Sequence, residues 1–335
     1  MRAVVYRENG PSSVLHLVDR PIPEPGPGEV RVRMHVSGVN PTDWKGRATQ
    51  PLAFAEQVPN HDGSGVIDAA GAGIDPARVG QRVWIWMAAR QRLGGTAQEY
   101  VVLPSAHAVP LPDGASFELG AALGVPFLTA HRTLTVHERG PRRLAPGTLE
   151  GRSVLVAGGA GAVGNAAIQL ARWAGATVLT TVSSAEKAEL ANAAGAQHVI
   201  NYRSQDVTAE VRRIVPEGVD TVVEVSVANA PIDVDVLAAS GVVAMYAGNP
   251  GDEVTVPLRP LMALNARWQY VLLYTMTDAA KADAVAAVNA AVAAGAVDVG
   301  THVGLPLHRF PLEQTAAAHD SVEGGTVGKV LIEIG

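Results

Sequence analysis

The run Ser153-Val154-Leu155-Val156-Ala157 passes directly into Gly158-Gly159-Ala160-Gly161-Ala162-Val163-Gly164, and then into a segment whose apolar positions include Ile168 and Leu170. A buried strand, a glycine turn and a helix in that order form the first unit of an alternating strand–helix layout. Further apolar strand runs follow at 177–182, 198–202, 219–225, 242–247 and 270–275, with helical segments between most of them. Six such strands fit a doubly wound parallel sheet, an α/β fold. The helix after Ser183 carries a capping box, Ser183 with Glu186, and ends near Gly195. A late alanine-rich helix starts near Asp278, presents Val285, Val288 and Val292 on one face, and stops at Gly295.

Up to about residue 110 the pattern differs. Short runs such as Glu29-Val30-Arg31-Val32-Arg33-Met34-His35-Val36 alternate with period two between Pro and Gly clusters, which suggests a β-rich, barrel-like lobe. The proline-rich stretch 21–28 sits between two strand patterns and reads as a stiff connector rather than a polyproline ligand. A chain of 335 residues is long enough for two lobes with a cleft between them. The expected division is a β-rich lobe over 1–124, an inserted nucleotide-binding lobe over 125–277, and a tail over 278–335 that rejoins the first lobe.

Composition excludes several classes. A net charge of −6, with no basic run longer than pairs such as Arg142-Arg143, supplies no footprint for nucleic acid or anionic lipid. The first eight residues lack a signal-peptide core and no stretch of ~20 apolar residues is present, so a cytosolic protein is expected. Having no cysteine removes disulfides, thiolate nucleophiles, iron–sulfur clusters and every Cys-containing zinc site.

The glycine turn is placed where a dinucleotide pyrophosphate would meet backbone N–H groups, although tight strand–helix turns also need glycine on steric grounds alone. NAD-specific sites carry Asp or Glu at the end of the second strand to hold the ribose 2′-hydroxyl. Here that position reads Thr180-Thr181-Val182-Ser183-Ser184, with Lys187 one turn on. With no carboxylate to repel a 2′-phosphate, and with hydroxyl and ammonium donors present, NADPH is favoured over NADH. The competing account makes Ser183 an N-cap and Lys187 a solvated side chain.

Several separated stretches resemble the zeta-crystallin-type quinone oxidoreductases of the medium-chain dehydrogenase/reductase superfamily, and the likeness runs almost end to end. They are Gly38-Val39-Asn40-Pro41-Thr42-Asp43, His61-Asp62-Gly63-Ser64-Gly65-Val66, the segments 124–130 and 158–164, Asn201-Tyr202-Arg203, Ala247-Gly248-Asn249 and the tail 324–329. The resemblance implies a GroES-like catalytic lobe and a Rossmann lobe. It implies cofactor contacts from Gly158, Gly161, Ala162, Val163 and Gly164, a 2′-phosphate grip by Ser183, Lys187 and Tyr202, and further cofactor contacts from Thr129, Asn249, Leu272, Tyr274 and Lys329. Asn40 and Asp43 are implied to line the substrate cleft and are the candidate catalytic residues; Trp44 and Lys45 beside them are further candidate cleft residues. Taken alone, Thr129 reads as a helix cap, Asn249 before Pro250-Gly251 as a turn residue and Tyr202 as a strand-end aromatic. His61 stands where zinc-dependent relatives often place a ligand, but without thiolate partners a pocket or structural role fits better.

Dehydrogenating an alcohol needs a group that takes up alkoxide charge, and no such group is evident. Reducing a quinone is easier, because the acceptor has high electron affinity and becomes aromatic. The expected activity is therefore NADPH-dependent, metal-free quinone reduction, with Asp43 as proton donor or relay if burial raises its pKa. The alternatives are reduction of α,β-unsaturated aldehydes or ketones, and a catalytically idle NADPH- or RNA-binding protein. Two features depart from the family: Lys45 replaces an expected Tyr, and the loop 137–147 is about eight residues longer than the family's by alignment, either a surface insertion or a segment reaching the substrate. The apolar run 268–274, expected at a sheet edge, suggests a homodimer.

Overall fold

The computed structural model describes all 335 residues. In chain order the elements are β1 (Arg2–Val5), β2 (His16–Asp19), β3 (Glu29–Val39), α1 (Pro41–Thr49), β4 (Asp62–Ala70), β5 (Arg82–Ile85), β6 (Tyr100–Pro104), β7 (Ala108–Pro110), α2 (Phe117–Ala122) and α3 (Leu128–Leu134). They continue with β8 (Ser153–Ala157), α4 (Ala162–Trp173), β9 (Thr177–Val182), α5 (Ala185–Ala193), β10 (His198–Asn201), α6 (Val207–Ile214), β11 (Val219–Glu224), α7 (Ala230–Val236) and β12 (Leu237–Met245). The last are α8 (Leu258–Leu264), β13 (Arg267–Tyr270), α9 (Asp278–Ala293), β14 (Leu307–Pro311), α10 (Thr315–Glu323) and β15 (Lys329–Glu333). They form two compact units, Met1–Val125 with Pro306–Gly335, and Pro126–Leu305.

In the discontinuous unit β3 alternates its burial, with Val30, Val32 and Met34 inside, as a strand with one covered face should. Those side chains pack with Val83, Ile85, Leu103, Val330 and Ile332 in one apolar core. Each such burial stabilises by roughly 1.5–3 kcal/mol before the entropy of ordering is counted. The sheet runs β14-β15-β3-β4-β5-β7, with β6 also paired to β3. β15 lies antiparallel against β3 and parallel to β14.

The continuous unit holds a six-stranded sheet in the order β10-β9-β8-β11-β12-β13, with every pairing parallel. All five residues of β8 are buried, which is the signature of a strand covered on both faces. The order reverses between β8 and β11, and that switch point is where open α/β sheets offer a crevice at their carboxyl ends.

Three local expectations change. The α5 cap is Ser184, whose hydroxyl accepts from the Lys187 N–H, and not Ser183. The edge strand stops at Tyr270, and the chain turns into a short 3-10 helix at Leu273–Thr275, so Leu272 and Tyr274 lie beyond the strand. The unit boundary falls at Leu305/Pro306 and not at residue 278, so α9 stays with the nucleotide-binding lobe. The reason is polar anchoring: Asn165 donates to Val303 O at 2.7 Å and Gln169 to Asp298 O at 3.0 Å, both from the inner face of α4. The long loop after α3 is fastened to the same unit, with Arg143 on Asp283 at 2.8 Å, Glu138 on Arg267 at 2.7 Å, and the Leu144 N–H on His131 Nε2 at 3.3 Å.

Candidate cofactor and active sites

In the continuous unit the glycine turn joins β8 to α4. Gly158 takes φ +69°, a left-handed conformation that suits glycine. A Cβ on Gly164 would stand 2.4 Å from Gly158 O, and one on Gly159 would stand 2.2 Å from Thr180 Oγ1, so both must stay bare for the chain to fold back this tightly. The N–H groups of Gly158 and Gly159 are spent on Thr181 O at 3.1 and 3.2 Å, and that of Gly161 on Gly158 O at 3.0 Å. The donors left facing outward are those of Ala162, Val163 and Gly164, the first turn of a 12-residue helix with no carbonyl four residues back within the helix. Gly158 and Gly161 therefore shape the cradle, while 162–164 supply its N–H groups. This is a fit for a dinucleotide diphosphate.

Beyond β9, Lys187 Nζ lies 3.1 Å from Ser183 Oγ, so the two side chains share one spot at the N-terminus of α5. Tyr202 follows β10 directly, its N–H bonded to Val182 O at 3.0 Å and its ring 47% exposed. No carboxylate occupies residues 177–184. The chemistry of this corner is that of an anion site. Thr129 is buried in the first turn of α3 and caps nothing, because Phe127 holds the cap position. Asn249 sits in a turn in which its N–H bonds Asp252 Oδ2 at 2.7 Å. Leu272 is exposed.

A cavity of about 330 Å³ opens at the carboxyl ends of β8 to β11, lined among others by Thr181, Tyr202, Glu224, Asn229 and Asp233. Burial, the nearby Glu224 charge and a hydrogen bond with Glu224 push Asp233 up to about 9. The sequence reading missed this pair. Its signal was a carboxylate, Glu224, directly after the apolar pair Val222-Val223 at the end of β11.

In the discontinuous unit a polar cluster is buried at the end of β3. Asn40 donates from Nδ2 to Asp62 Oδ2 at 2.7 Å, and Lys329 donates from Nζ to Asn40 Oδ1 at 2.6 Å and to Val39 O at 3.1 Å. Asp43, the third residue of α1, accepts from the Asn40 N–H at 2.7 Å and the His61 N–H at 3.2 Å. Asp62 Oδ2 also accepts from the Val125 N–H at 2.8 Å. Two buried carboxyl groups thus lie in one cluster with a single lysine, whose Nζ bonds Asn40 and Val39 rather than either carboxylate. Burial and the Asp62 charge push Asp43 up to about 8, and burial pushes Asp62, which Lys329 favours as an anion, to about 6. Of the two, Asp43 is raised further.

Lys329 was expected to touch the cofactor, but it is 1% exposed and committed to Asn40 and Val39. Asp62, which the reading quoted only as part of a motif, is the acid at the heart of the cluster. Lys45 lies 5.9 Å from the Trp44 ring on α1, so the Tyr-to-Lys departure leaves a cation beside an indole. Burial and Arg90 lower the His61 ring to about 4, which keeps it uncharged. No group of three or more His, Asp or Glu residues is placed to hold a metal, and cysteine is absent, so the donor set does not fit zinc.

Residues 162–290 match the family described as zinc-binding dehydrogenase, and residues 26–113 match the alcohol dehydrogenase GroES-like domain. Human quinone oxidoreductase is 30% identical over 99% of this chain and 97% of its own length. The chain belongs to the quinone oxidoreductases of the medium-chain dehydrogenase/reductase superfamily. The rat synaptic vesicle membrane protein VAT-1 homolog is 33% identical over 80% of this chain, a match that spans only 64% of that protein. Among solved structures, an NAD-dependent alcohol dehydrogenase is 32% identical with a TM-score of 0.84, each chain fully covered. A mycobacterial protein solved in complex with NADPH is 29% identical with a TM-score of 0.82, covering 99% of this chain and 100% of that one. Both of the superfamily's lobes are thus present, the GroES-like one in the discontinuous unit and the Rossmann one in the continuous unit. No helix is long and apolar enough to cross a membrane.

Proposed function

We propose that this protein reduces quinones with NADPH: quinone, NADPH and a proton give hydroquinone and NADP+. The observation that carries the reading is the joint placement of Lys187 Nζ and Ser183 Oγ, 3.1 Å apart, at a strand end free of carboxylate. The NADPH-bound mycobacterial relative and the human quinone oxidoreductase support the cofactor and the acceptor class.

When bound, NADPH supplies the hydride. The N–H groups of residues 162–164 hold the diphosphate, and Lys187, Ser183 and Tyr202 hold the 2′-phosphate. Asp43 stores the second component, a proton, because at neutral pH its carboxyl group is the protonated member of the buried cluster. Once the proton leaves, the Asn40 and His61 N–H groups already bonded to Asp43 stabilise the carboxylate, so the donor needs little rearrangement. Asn40 positions Asp43 and Asp62 together, and Lys329 keeps Asp62 ionised. Exposed Tyr270 and Leu272 beside the edge strand β13 support a homodimer, and a monomer by light scattering at micromolar concentration would remove that reading.

The test is oxidation of NADPH and of NADH against 1,4-benzoquinone, a naphthoquinone and a simple enone, with the uncatalysed reaction subtracted. The expected result is quinone turnover with NADPH preferred, and in Lys187→Met a loss of about tenfold or more in NADPH kcat/KM with NADH unchanged. Equal use of both cofactors by the unaltered protein would overturn the 2′-phosphate assignment, and turnover of the enone alone would replace the acceptor class.

A further inference from the structure

The cavity at the carboxyl ends of β8 to β11 is lined by Tyr202, whose N–H bonds Val182 O beside Ser183, and by Thr181, two residues before Ser183. Its polar wall is unevenly committed. Asp206 caps α6 through the Ala209 N–H at 3.0 Å, and Gln205 accepts from the Asn201 N–H at 2.8 Å. Glu224 Oε1 takes three donors, the Val225 and Ser226 N–H groups at 2.7 and 2.6 Å and Asn229 Nδ2 at 2.9 Å. Asp233 is 0% exposed, and neither of its oxygens accepts a hydrogen bond.

Three donors favour Glu224 as the carboxylate, while burial and the Glu224 charge raise Asp233, neither of whose oxygens has a protein partner. Asp233 lines the cavity, and an acceptor oxygen of its carboxyl group is left with no protein donor. A buried acceptor left so is destabilising unless a ligand supplies the donor.

We propose that Asp233 reads the base of the cofactor: its free acceptor oxygen takes a hydrogen bond from the exocyclic amino group of adenine, and the Asp233–Glu224 pair repels a purine with oxygen at that position. The inference rests on the dinucleotide reading above and assigns Asp233 as a specificity-determining residue. The site is large enough for a purine, adjoins the corner assigned to the adenosine 2′-phosphate, and lies at the switch point of the sheet.

The experiment compares NADPH with its 6-oxo analogue, reduced nicotinamide hypoxanthine dinucleotide phosphate, by equilibrium titration of nicotinamide fluorescence without any acceptor. The unaltered protein is expected to bind NADPH at least about tenfold more tightly. Asp233→Leu should bring the ratio to within about twofold, while Asp233→Asn, whose amide can donate to Glu224 and keep a carbonyl oxygen for the base, should retain the preference. Equal binding of the two dinucleotides by the unaltered protein overturns the proposal without recourse to any variant, and so does a full preference in Asp233→Leu. If NADH binds in place of NADPH, the 2′-phosphate assignment falls, and the ratio of NADH to its hypoxanthine analogue decides the base reading on its own. If no dinucleotide binds, both readings fall.

Discussion

Lys329 Nζ and Asn40 Oδ1 stand 2.6 Å apart although 289 residues separate them in sequence, and the bond ties β15 to the N-terminus of α1 beneath Asp62 and Asp43. It places the cluster's single lysine where two buried carboxyl groups would otherwise be uncompensated.

Lys329→Met should therefore destabilise the protein by about 3 kcal/mol, because Asp62 would be left as a buried anion or forced to take a proton. Chemical denaturation measures the change. Asp62→Asn in the Lys329→Met background should recover part of it, and strictly additive effects in the double-mutant cycle would show that the two residues do not interact.

Gly164→Ala should abolish dinucleotide binding, since its Cβ would fall 2.4 Å from Gly158 O, whereas at Gly161 the nearest atom is 3.4 Å away. Gly161→Ala should bind NADPH within a fewfold of the unaltered protein. Fluorescence titration separates the two, and equal losses would mean that the turn is not a steric cradle.

Asp43 is held up to about 8, so its proton is present at neutral pH and lost as pH rises. Quinone turnover at saturating NADPH should fall through that region, with kcat and kcat/KM falling together. Asp43→Asn should lose turnover by about a hundredfold or more while keeping NADPH affinity. Unchanged kcat in Asp43→Asn would move the proton source elsewhere, to solvent.

His319 is buried and uncharged: its Nε2 meets Asn60 Oδ1 at 2.9 Å, and burial, reinforced by Arg47, lowers it to about 3. An unfolded histidine titrates near 6.5, so below that pH the unfolded state binds more protons. The stability that a neutral His319 contributes is fully present above 6.5 and is lost as pH falls toward 3. Between pH 6.5 and 5 the native protein should lose about 2 kcal/mol relative to His319→Gln. Parallel stability curves for the two proteins would contradict this.

The α/β lobe was legible because its central strands carry apolar runs such as Val154–Ala157 and Val242–Met245 and the first turn carries its glycines, so period and punctuation agree. That β9 ends without an acid could be read directly, and Lys187 does stand beside Ser183 at that end. Local chemistry misled at Ser183, where two adjacent serines offer equal caps and only the backbone decides that Ser184 takes the role. It misled again at residues 270–275, whose apolar run continues past the point where the edge strand ends. Lys329 and Asp233 were out of reach because their meaning depends on partners 289 residues away or on a partner that is missing. No window of sequence shows either. The α9 boundary was hidden likewise, in Asn165 and Gln169, polar residues on a helix face that looked merely interior.

β15 lies between β14 and β3, so the sheet that β3 starts is closed only by strands that follow the inserted lobe in sequence. The lobe from Pro126 to Leu305 is contiguous and has all its strands in hand earlier. Synthesis thus inverts the usual order, in which the leading domain folds first. During translation the leading lobe carries an open β3 flank and a buried-acid site without its lysine, and both are made good when Lys329 emerges.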